Sequence, residues 1–433
     1  MPTVIGKAFD FNICFRPITL TAHAGIVLLR DFIAKLDLPA LIDAEIKVKQ
    51  RERGYPESEN LLNLCWNAIL GGHCLRDLDV LRGDAGLTQL LGINSILAPQ
   101  TAGELLRQFD LGDLSDLRRL LRLVAERVSL FGGRQSSRVT IDLDASLYEQ
   151  CSQQKQGARR NYKGKVGYYP LFAFWAEEKE LLSTHLLRGN AKADSRARYL
   201  LRQALCNAPS GKRLYLRADS EFYCWKLIEF CEQEKITYAI TADQTKELQA
   251  RIAALPEAAW KHYAAGGVQV AEFSFAPARR APHRYVVKRQ QVREKSGEWR
   301  WRYHVVVTND ERRSAKKLMQ WALGRCAMEN LIKEHKHDFG FEKLPSQRFH
   351  ANWAWLLVSQ LAWNIVAWFN RRCLPASCHT MMLGTLRHRL LKVAGRIVHS
   401  GRQRFLVLSE ENLFQDWWSF ALKQLADLSW CSA

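Results

Sequence analysis

The sequence lacks the cysteine patterns that build disulfide frameworks and standard zinc sites. Its eleven cysteines are scattered, odd in number and free of any CxxC pair, so neither kind of structure is indicated. The opening residues, MPTVIGKAFDFNICFRP, contain no charged segment followed by an apolar run and no small-residue cleavage site, which argues against secretion. A reducing cytoplasm is therefore the expected compartment.

Long uncharged runs are also scarce, and the longest one requires an explanation. Residues 351–370 carry no charge over a length that could cross a membrane. The run contains five amide or hydroxyl side chains, and its four tryptophans are spread along it instead of being placed at two membrane interfaces. The pattern predicts a buried helix that packs against a sheet, and no membrane partner.

Positive charge, by contrast, is abundant. The 63 lysines and arginines exceed the 44 aspartates and glutamates, which gives a net charge of +19. At this size the excess favours a polyanionic partner, nucleic acid first, over an acidic small molecule. The chain has 433 residues, of which 47% are hydrophobic, so it is long enough for two or three packed domains.

The first part of the chain has the apolar spacing of helices. Residues 17–133 repeat this spacing, for example from Ile26 to Ile33, and predict a helical N-terminal domain. Residues 98–101 begin a short helix after a turn, as the second helix of a helix-turn-helix does. An ordinary helix pair explains the same residues equally well.

The spacing then changes to the period of two that is typical of strands. Strands are predicted at 139–144, 168–175 and 181–187, followed by a helix at 192–205, a strand at 213–219, a helix at 224–234 and a strand at 236–241. Three strands followed by alternating helix and strand is the order of an RNase H-like fold. The expected fold class is α/β, or α+β over the whole chain.

Alternation returns in the second half of the chain and predicts a β-rich insertion, with strands at 268–275, 284–292 and 298–307. Helical spacing resumes at 315–336, the tryptophan-rich helix follows, and residues 381–408 are interpreted as a basic amphipathic helix. The predicted domains are therefore a helical DNA-binding unit at 1–133, an RNase H-like core at 134–245 and 313–410, the insertion at 246–312 and a C-terminal tail at 411–433.

Three carboxylates are candidate metal ligands for a phosphoryl-transfer reaction. Asp144 and Asp219 end two predicted strands, and Glu329 lies on a predicted helix. In such reactions two divalent ions roughly 3.5–4 Å apart activate the attacking oxygen and neutralise the leaving oxygen. Magnesium prefers hard oxygen ligands, so two Mg²⁺ ions, replaceable by Mn²⁺, are the expected cofactors. Spacing alone is not specific, because aspartates at strand ends are commonly caps or turn residues.

The residues around these carboxylates form three blocks, Asp144 to Ser146, Arg217 to Phe222 and Glu329 to Glu334. The blocks resemble the signatures of DDE transposases of bacterial insertion sequences, and are most similar to insertion-sequence family thirteen-eighty. In the third block the family's Arg, Glu and Lys spacing is kept, while Ala322 replaces its tyrosine. The supporting or DNA-contacting residues that the resemblance implies are Asp142, Lys155, Gln156, Arg217, Arg325, Asn330, Lys333 and Lys336.

This resemblance covers residues 10–410 and implies a magnesium-dependent transposase. Such an enzyme binds double-stranded terminal inverted repeats, cleaves the ends of its element and joins the freed 3′-hydroxyl to target DNA. A homodimer on paired ends, a bacterial cytoplasm near the nucleoid and no small-molecule substrate are expected. Two competitors are an RNase H-like nuclease that hydrolyses without joining, and a non-enzymatic DNA-binding protein derived from a transposase.

Two neighbouring carboxylates compete with the preferred ones. Asp142 and Asp144 share a strand face, and Asp144 is preferred because the family places a small residue and then Ser or Thr after the catalytic aspartate. Asp142 is then a supporting or structural carboxylate. Glu334 lies five positions after Glu329 and is expected to face away from it as a solvated charge.

Further candidate DNA contacts lie outside the three blocks. Arg159 and Arg160 are candidates for phosphate binding, with a solvated loop as an equally good interpretation. Trp299 and Trp301 share one strand face in the insertion. We favour burial in a small core, and the alternative hypothesis is that one tryptophan stacks on a displaced base. The basic residues of 381–408 are interpreted as a helix face that is solvated or contacts phosphate.

Overall fold

A computed structural model gives the fold, and the residues it describes are 4–8, 11–14, 18–49, 54–132, 134, 136–152, 154–161, 163–277 and 280–428. Parts of the predicted N-terminal domain (1–3, 9–10, 15–17, 50–53 and 133) and of the C-terminal tail (429–433) lie outside these residues.

Helices build the N-terminal part of the chain and cover the sheet that follows. Their bounds are α1 Ile26–Lys35, α2 Leu38–Glu45, α3 Glu57–Ile69, α4 Leu78–Arg82, α5 Ala85–Leu91, α6 Pro99–Gln108, α7 Leu111–Leu130, α8 Asp194–Asn207, α9 Trp225–Gln233, α10 Lys246–Ala253, α11 Ala315–Leu323, α12 Cys326–His337, α13 Phe349–Cys373, α14 Leu383–Leu386 and α15 Gln415–Asp427.

Strands occupy the places that the period-two pattern predicts, with several short additions. Their bounds are β1 Val4–Ala8, β2 Phe11–Cys14, β3 Leu20–Thr21, β4 Arg138–Ala145, β5 Tyr148–Glu149, β6 Arg159–Arg160, β7 Val166–Tyr168, β8 Leu171–Trp175, β9 Glu180–His185, β10 Arg213–Ala218, β11 Thr237–Thr241, β12 Lys261–Ala264, β13 Val268–Phe275, β14 His283–Arg293, β15 Trp299–Thr308, β16 Gly395–Ser400 and β17 Gln403–Val407.

A nine-stranded mixed sheet forms the centre of the fold, in the order β12-β13-β14-β15-β11-β10-β4-β8-β9. Strand β10 pairs in parallel with both β4 and β11, while β8 pairs antiparallel with β4 and with β9. The strands of the predicted insertion join this sheet through the antiparallel pairing of β15 with β11. They therefore extend the central sheet and do not form a separate one.

The alternation of side chains along the strands divides the core between the two faces of the sheet. On β8, Leu171, Ala173 and Trp175 pack with the buried residues of α8 and α9. Phe172 and Phe174 point to the other face and pack with the residues of α13. The continuous apolar run of β8 is thus that of a strand covered by helices on both faces.

Helix α13 is buried along almost its whole length and contacts α3, α7 and β9. Two of its amide side chains form hydrogen bonds to the backbone of β9, which lies at one edge of the sheet. Asn364 accepts from the N–H of Leu181 at 2.8 Å and donates to its carbonyl at 3.0 Å. Gln360 donates to the carbonyls of Leu181 and Leu182. The prediction of a buried helix is confirmed.

Within the part of the chain that the structure describes, no helix is both long enough and apolar enough to span a membrane.

The predicted amphipathic helix over residues 381–408 is wrong. The short helix α14 is followed by one π-helical turn at Arg387–Leu391 and then by the hairpin of β16 and β17. Gly401, at φ 59°, supplies the left-handed turn residue between these strands. Arg387 is not solvated: it is 5% exposed and donates to the carbonyl of Ile69 at 2.5 Å.

A buried histidine joins the sheet to the two helices that follow it. His335 of α12 is fully buried and lies 3.0 Å from the Tyr148 hydroxyl and 3.2 Å from the Ser359 hydroxyl of α13. Ser359 donates its own proton to the Leu356 carbonyl, so its oxygen accepts from Nε2–H, and Nδ1 accepts from Tyr148. Burial lowers the pKa of His335 to about 3, which keeps the ring neutral.

We predict that His335→Gln reduces the sensitivity of the fold to acid. The unfolded chain takes up a proton near the ordinary histidine pKa while the folded chain does not, so the wild type loses unfolding free energy as the pH falls below about 6.5. Between pH 7 and pH 5 this histidine accounts for a loss of about 2 kcal/mol. Urea unfolding at the two pH values measures the difference. The exposed His399→Gln is the control, and an equal pH effect in both variants would contradict the assignment.

Candidate active site

Two aspartates lie side by side where two central strands end. Asp144 is near the end of β4, and Asp219 directly follows β10. The strands run in parallel, and Leu143 is level with Ala218, so the next residues along the chain, Asp144 and Asp219, occupy neighbouring positions. Both were predicted from the sequence as strand-end carboxylates. The pairing of β4 with β10 explains how two residues that are 75 positions apart in the sequence become neighbours.

Asp142, two residues earlier on β4, makes a different set of contacts. It is 2% exposed, and each of its oxygens accepts a hydrogen bond of 2.6 Å from Arg217 on the neighbouring β10. Arg217 also donates to the Trp321 carbonyl at 2.8 Å. Burial raises the pKa of Asp142, and Arg217 acts against that rise. With both oxygens bound, Asp142 is a structural carboxylate that locks β4 to β10.

Asp144 and Asp219 repel each other and share one cation. Burial, followed by the charge of Asp144, raises the pKa of Asp219 to about 6. Burial also raises the pKa of Asp144. Arg325, at the start of α12, lies 3.1 Å from one Asp144 oxygen and acts against the rise in both carboxyls. The two neighbouring carboxyls are thus stabilised by the positive charge of Arg325.

Glu329 is the exposed carboxylate in the first turn of α12. Its charge contributes to the raised pKa of Asp144, so the two carboxylates are close enough to repel each other. Lys336, two turns later, holds this helix against the end of β4: its ammonium lies 3.2 Å from the Leu147 carbonyl and 3.4 Å from the Ser146 hydroxyl. Arg325 and Lys336 thus bracket Glu329 and fix both ends of its helix.

The donor chemistry of the three carboxylates suits a hard divalent cation, because such ions prefer oxygen ligands, and the charge of Asp144 raises the pKa of Asp219. The geometry is not yet that of a closed metal site. Among the residues that the structure describes, no group of three or more His, Cys, Asp or Glu side chains is close enough to hold an ion. One Asp144 oxygen faces Arg325 and the other accepts from the Ala145 N–H.

A fourth carboxylate, Glu221, lies two residues after Asp219 in the second sequence block. It accepts a hydrogen bond from the Tyr169 hydroxyl, and its charge contributes to the raised pKa of both Asp144 and Asp219. Together with Ser220 it lines a cavity of about 430 Å³ beside Asp219. Its position two residues after Asp219 was the only signal in the sequence.

The expectation that Glu334 is a solvated charge is wrong. The side chain is 4% exposed, and it accepts from the backbone N–H groups of Leu383 and Gly384. Burial raises its pKa to about 7. The five-residue offset does turn Glu334 away from Glu329, but the surface it turns towards is covered by the segment that contains α14.

The remaining predicted residues fall into two groups. Lys155 donates to Gln150 and to the Leu344 carbonyl, and Gln156 accepts from the Phe349 N–H at 3.2 Å; these two tie their loop to the start of α13. The exposed group consists of Arg159, Arg160, Asn330, Lys333, Trp299 and Trp301.

The favoured interpretation of the two tryptophans is wrong. Trp299 is 64% exposed and Trp301 is 38% exposed, so they do not form a small core. Arg289 lies between Trp301 and Trp260, 4.4 Å and 4.1 Å from the ring centroids. Trp299 is therefore mostly exposed, while one face of Trp301 is covered by Arg289.

We predict that Asp142→Ala destabilises the fold strongly. Removing one partner leaves the buried Arg217 charge without its carboxylate, and breaking a buried pair costs about 3–5 kcal/mol. Urea unfolding measures the change. Glu149→Ala, which removes the carboxylate of an exposed pair with Lys165, is the control and leaves the unfolding free energy nearly unchanged. Equal effects of the two substitutions would exclude a structural role for Asp142.

Comparisons with known proteins give a family. No curated protein matches the sequence. Among solved structures, the chain is similar to the piggyBac transposase in a cryo-EM synaptic complex with hairpin DNA, at 14% identity and a TM-score of 0.46, over 86% of this chain and 79% of that one. The family described as transposase DDE domain group 1 matches residues 9–430. The chain therefore belongs to the DDE transposases, enzymes of DNA transposition that transfer phosphoryl groups.

Proposed function

We propose that this transposase binds the terminal inverted repeats of a bacterial insertion sequence, cleaves the element ends and joins the freed 3′-hydroxyl to target DNA. Asp144, Asp219 and Glu329 are the proposed ligands of two Mg²⁺ ions. The observation that carries the proposal is the parallel pairing of β4 with β10, which sets Asp144 beside Asp219. A homodimer on paired ends is part of the proposal, since two ends must be cut and joined together.

The topology of the sheet supports an RNase H-like core. The five strands β4, β8, β9, β10 and β11 lie in the order third, second, first, fourth, fifth, with the first three antiparallel and the last two parallel to the first. This is the arrangement that the predicted order of strands and helices implied. It brings residues from the ends of the first and fourth strands to one edge of the sheet.

Each residue of the site has a proposed role that follows from its contacts. Asp144 and Asp219 supply oxygen ligands from rigid strand ends, and Glu329 supplies a third from the exposed first turn of α12. When bound, the ions supply the charge that activates the attacking oxygen and neutralises the leaving one. Arg325 positions the carboxylate of Asp144, and Lys336 holds α12 over the end of β4.

The contacts favour Asp144 over Asp142 as the first ligand. Both oxygens of Asp142 are bound by Arg217. If Asp142 bound a metal ion instead, the buried charge of Arg217 would be left without its partner. Asp144 has only one cationic contact, to a side chain on a neighbouring helix. A cation can replace that contact without dismantling the sheet.

The surface around the site supplies candidate DNA contacts. Arg159 and Arg160 are exposed on β6 and are proposed to contact phosphates. Lys333 and Asn330 lie exposed on the same helix as Glu329 and are proposed to contact the scissile strand. A net charge of +19 makes this binding strongly dependent on salt.

The first test uses isosteric variants of the three carboxylates. Asp144→Asn, Asp219→Asn and Glu329→Gln are expected to lose magnesium-dependent cleavage and joining by roughly a thousandfold, because the ions provide several kcal/mol of transition-state stabilisation. The assay uses a DNA duplex that carries an end of the element, and binding to the same duplex is measured in parallel. Mn²⁺ is expected to replace Mg²⁺.

Glu311→Gln, an exposed carboxylate outside the site, is the matched control and keeps full activity. Full activity in any of the three site variants would remove that residue from the ligand set. Strand-transfer products in the wild type would exclude a nuclease that hydrolyses without joining, and absence of all cleavage with intact binding would favour a DNA-binding protein that has lost its chemistry.

The exposure of the two tryptophans supports a second test. We propose that Trp299 stacks on a base displaced near the element end, since a 64% exposed tryptophan offers a free ring face. Base–aromatic stacking contributes about 1–3 kcal/mol, so Trp299→Ala is expected to slow cleavage at least about fivefold while Trp299→Phe retains most of the rate. Unchanged cleavage in a folded Trp299→Ala variant would remove the idea.

A further inference from the structure

A second cavity, of about 730 Å³, opens between the end of β9, the segment leading into α8 and the start of α13. Its volume lies in the range of sites that hold a small molecule or one group of a polymer. It shares Asn190 and Ala191 with the cavity beside Asp219, so one loop separates the two. The side chains that define its chemistry are His185, Arg188, Arg196, Tyr199, Phe349 and Trp353.

Two buried polar atoms of these lining residues lack a hydrogen-bond partner. They are Nδ1 of His185 and Nε1 of Trp353, on side chains that are 7% and 9% exposed. An unpaired buried polar group costs free energy, so the wall behind this cavity is polar and is not fully satisfied by the protein. The Trp353 N–H is a donor only, and a neutral histidine nitrogen serves as donor or acceptor.

The walls of the cavity are aromatic. The ring of His185 meets Trp353 edge-on at 4.5 Å and Tyr199 at 5.2 Å, and Phe349 packs on Trp353 at 5.9 Å. Tyr199 is 37% exposed, so one face of its ring is open. Flat, partly exposed rings in a cavity of this size are suited to the face of a nucleobase.

The charge of the cavity is positive. Arg188 and Arg196 line it, and the lining residues include no carboxylate. Arg118 lies 4.7 Å from the ring centroid of Trp353. Burial, together with Arg118 and Arg196, lowers the pKa of His185 to about 3, so the histidine is neutral while the field around it attracts anions.

We infer that this cavity binds one unpaired nucleotide of a DNA strand. The base lies against the partly exposed rings of Tyr199 and Phe349, and the phosphate lies on the exposed Arg188 and Arg196. The inference rests on the proposed function for the choice of DNA as the polymer. A nucleotide bound here lies one loop away from Asp219, which makes the cavity an anchor for a strand displaced from the duplex near the cut.

The test compares two fluorescent probes of equal length and charge, an octathymidylate and an octamer of abasic nucleotides, by anisotropy without metal ion. The wild type is expected to bind the octathymidylate about tenfold more tightly, because only that probe can stack. Tyr199→Ser removes most of this preference and leaves binding of the abasic probe unchanged. Arg196→Gln weakens both probes and lowers the dependence on salt by about one charge.

Arg198→Gln is the matched control, because Arg198 lies on the same helix but packs over Phe230 away from the cavity. It is expected to bind both probes as the wild type does. Equal affinity of the wild type for the two probes, or the same loss in Arg198→Gln as in Arg196→Gln, would overturn the inference. Thermal unfolding confirms that each variant is folded. Since the assay involves no cleavage, failure of the proposed chemistry in Asp219→Asn would not affect its outcome.

Discussion

The parallel pairing of β4 with β10, locked by the Arg217–Asp142 pair, is the constraint on which the site depends. Because the strands run in the same direction and are held in register, the carboxylates that follow them arrive together at one edge of the sheet. The cross-strand pair is buried and bidentate, so a shift of register by one residue would leave a charge buried without its partner. The position of Asp144 beside Asp219 thus follows from a structural interaction two residues away.

The third carboxylate depends on a different layer of the fold. Helix α12 is held over the strand ends by Lys336, by the buried His335 between Tyr148 and Ser359, and by Glu334 under the α14 segment. Glu329 is one of the exposed residues of this helix. The helix therefore has one anchored face and one exposed face, and the exposed face suits the proposed metal and DNA ligands.

The sequence predicted the strands and helices of the core closely, because period-two alternation, Gly and Pro breaks and long apolar runs are local signals. The prediction from sequence failed where the structure of a segment depends on packing against residues that are distant in the sequence. The basic segment at 381–408 became a π turn and a hairpin, Glu334 and Arg387 were buried by segments distant in sequence, and the tryptophans of β15 remained in solvent. Each of these depends on which surface is covered, and periodicity alone does not contain that information.

The sequence by itself favoured a polyanionic partner through its net charge, predicted the order of strands and helices, and supplied three candidate carboxylates that suit a hard cation. Only the tertiary structure showed that Arg217, one strand away, binds both oxygens of Asp142, while Asp144 has a single contact with a cation. It alone also assembled the cavity of His185, Arg196 and Trp353. The physical reason is that charge and periodicity are properties of the chain, whereas burial, pairing and unsatisfied hydrogen bonds arise when distant segments pack together.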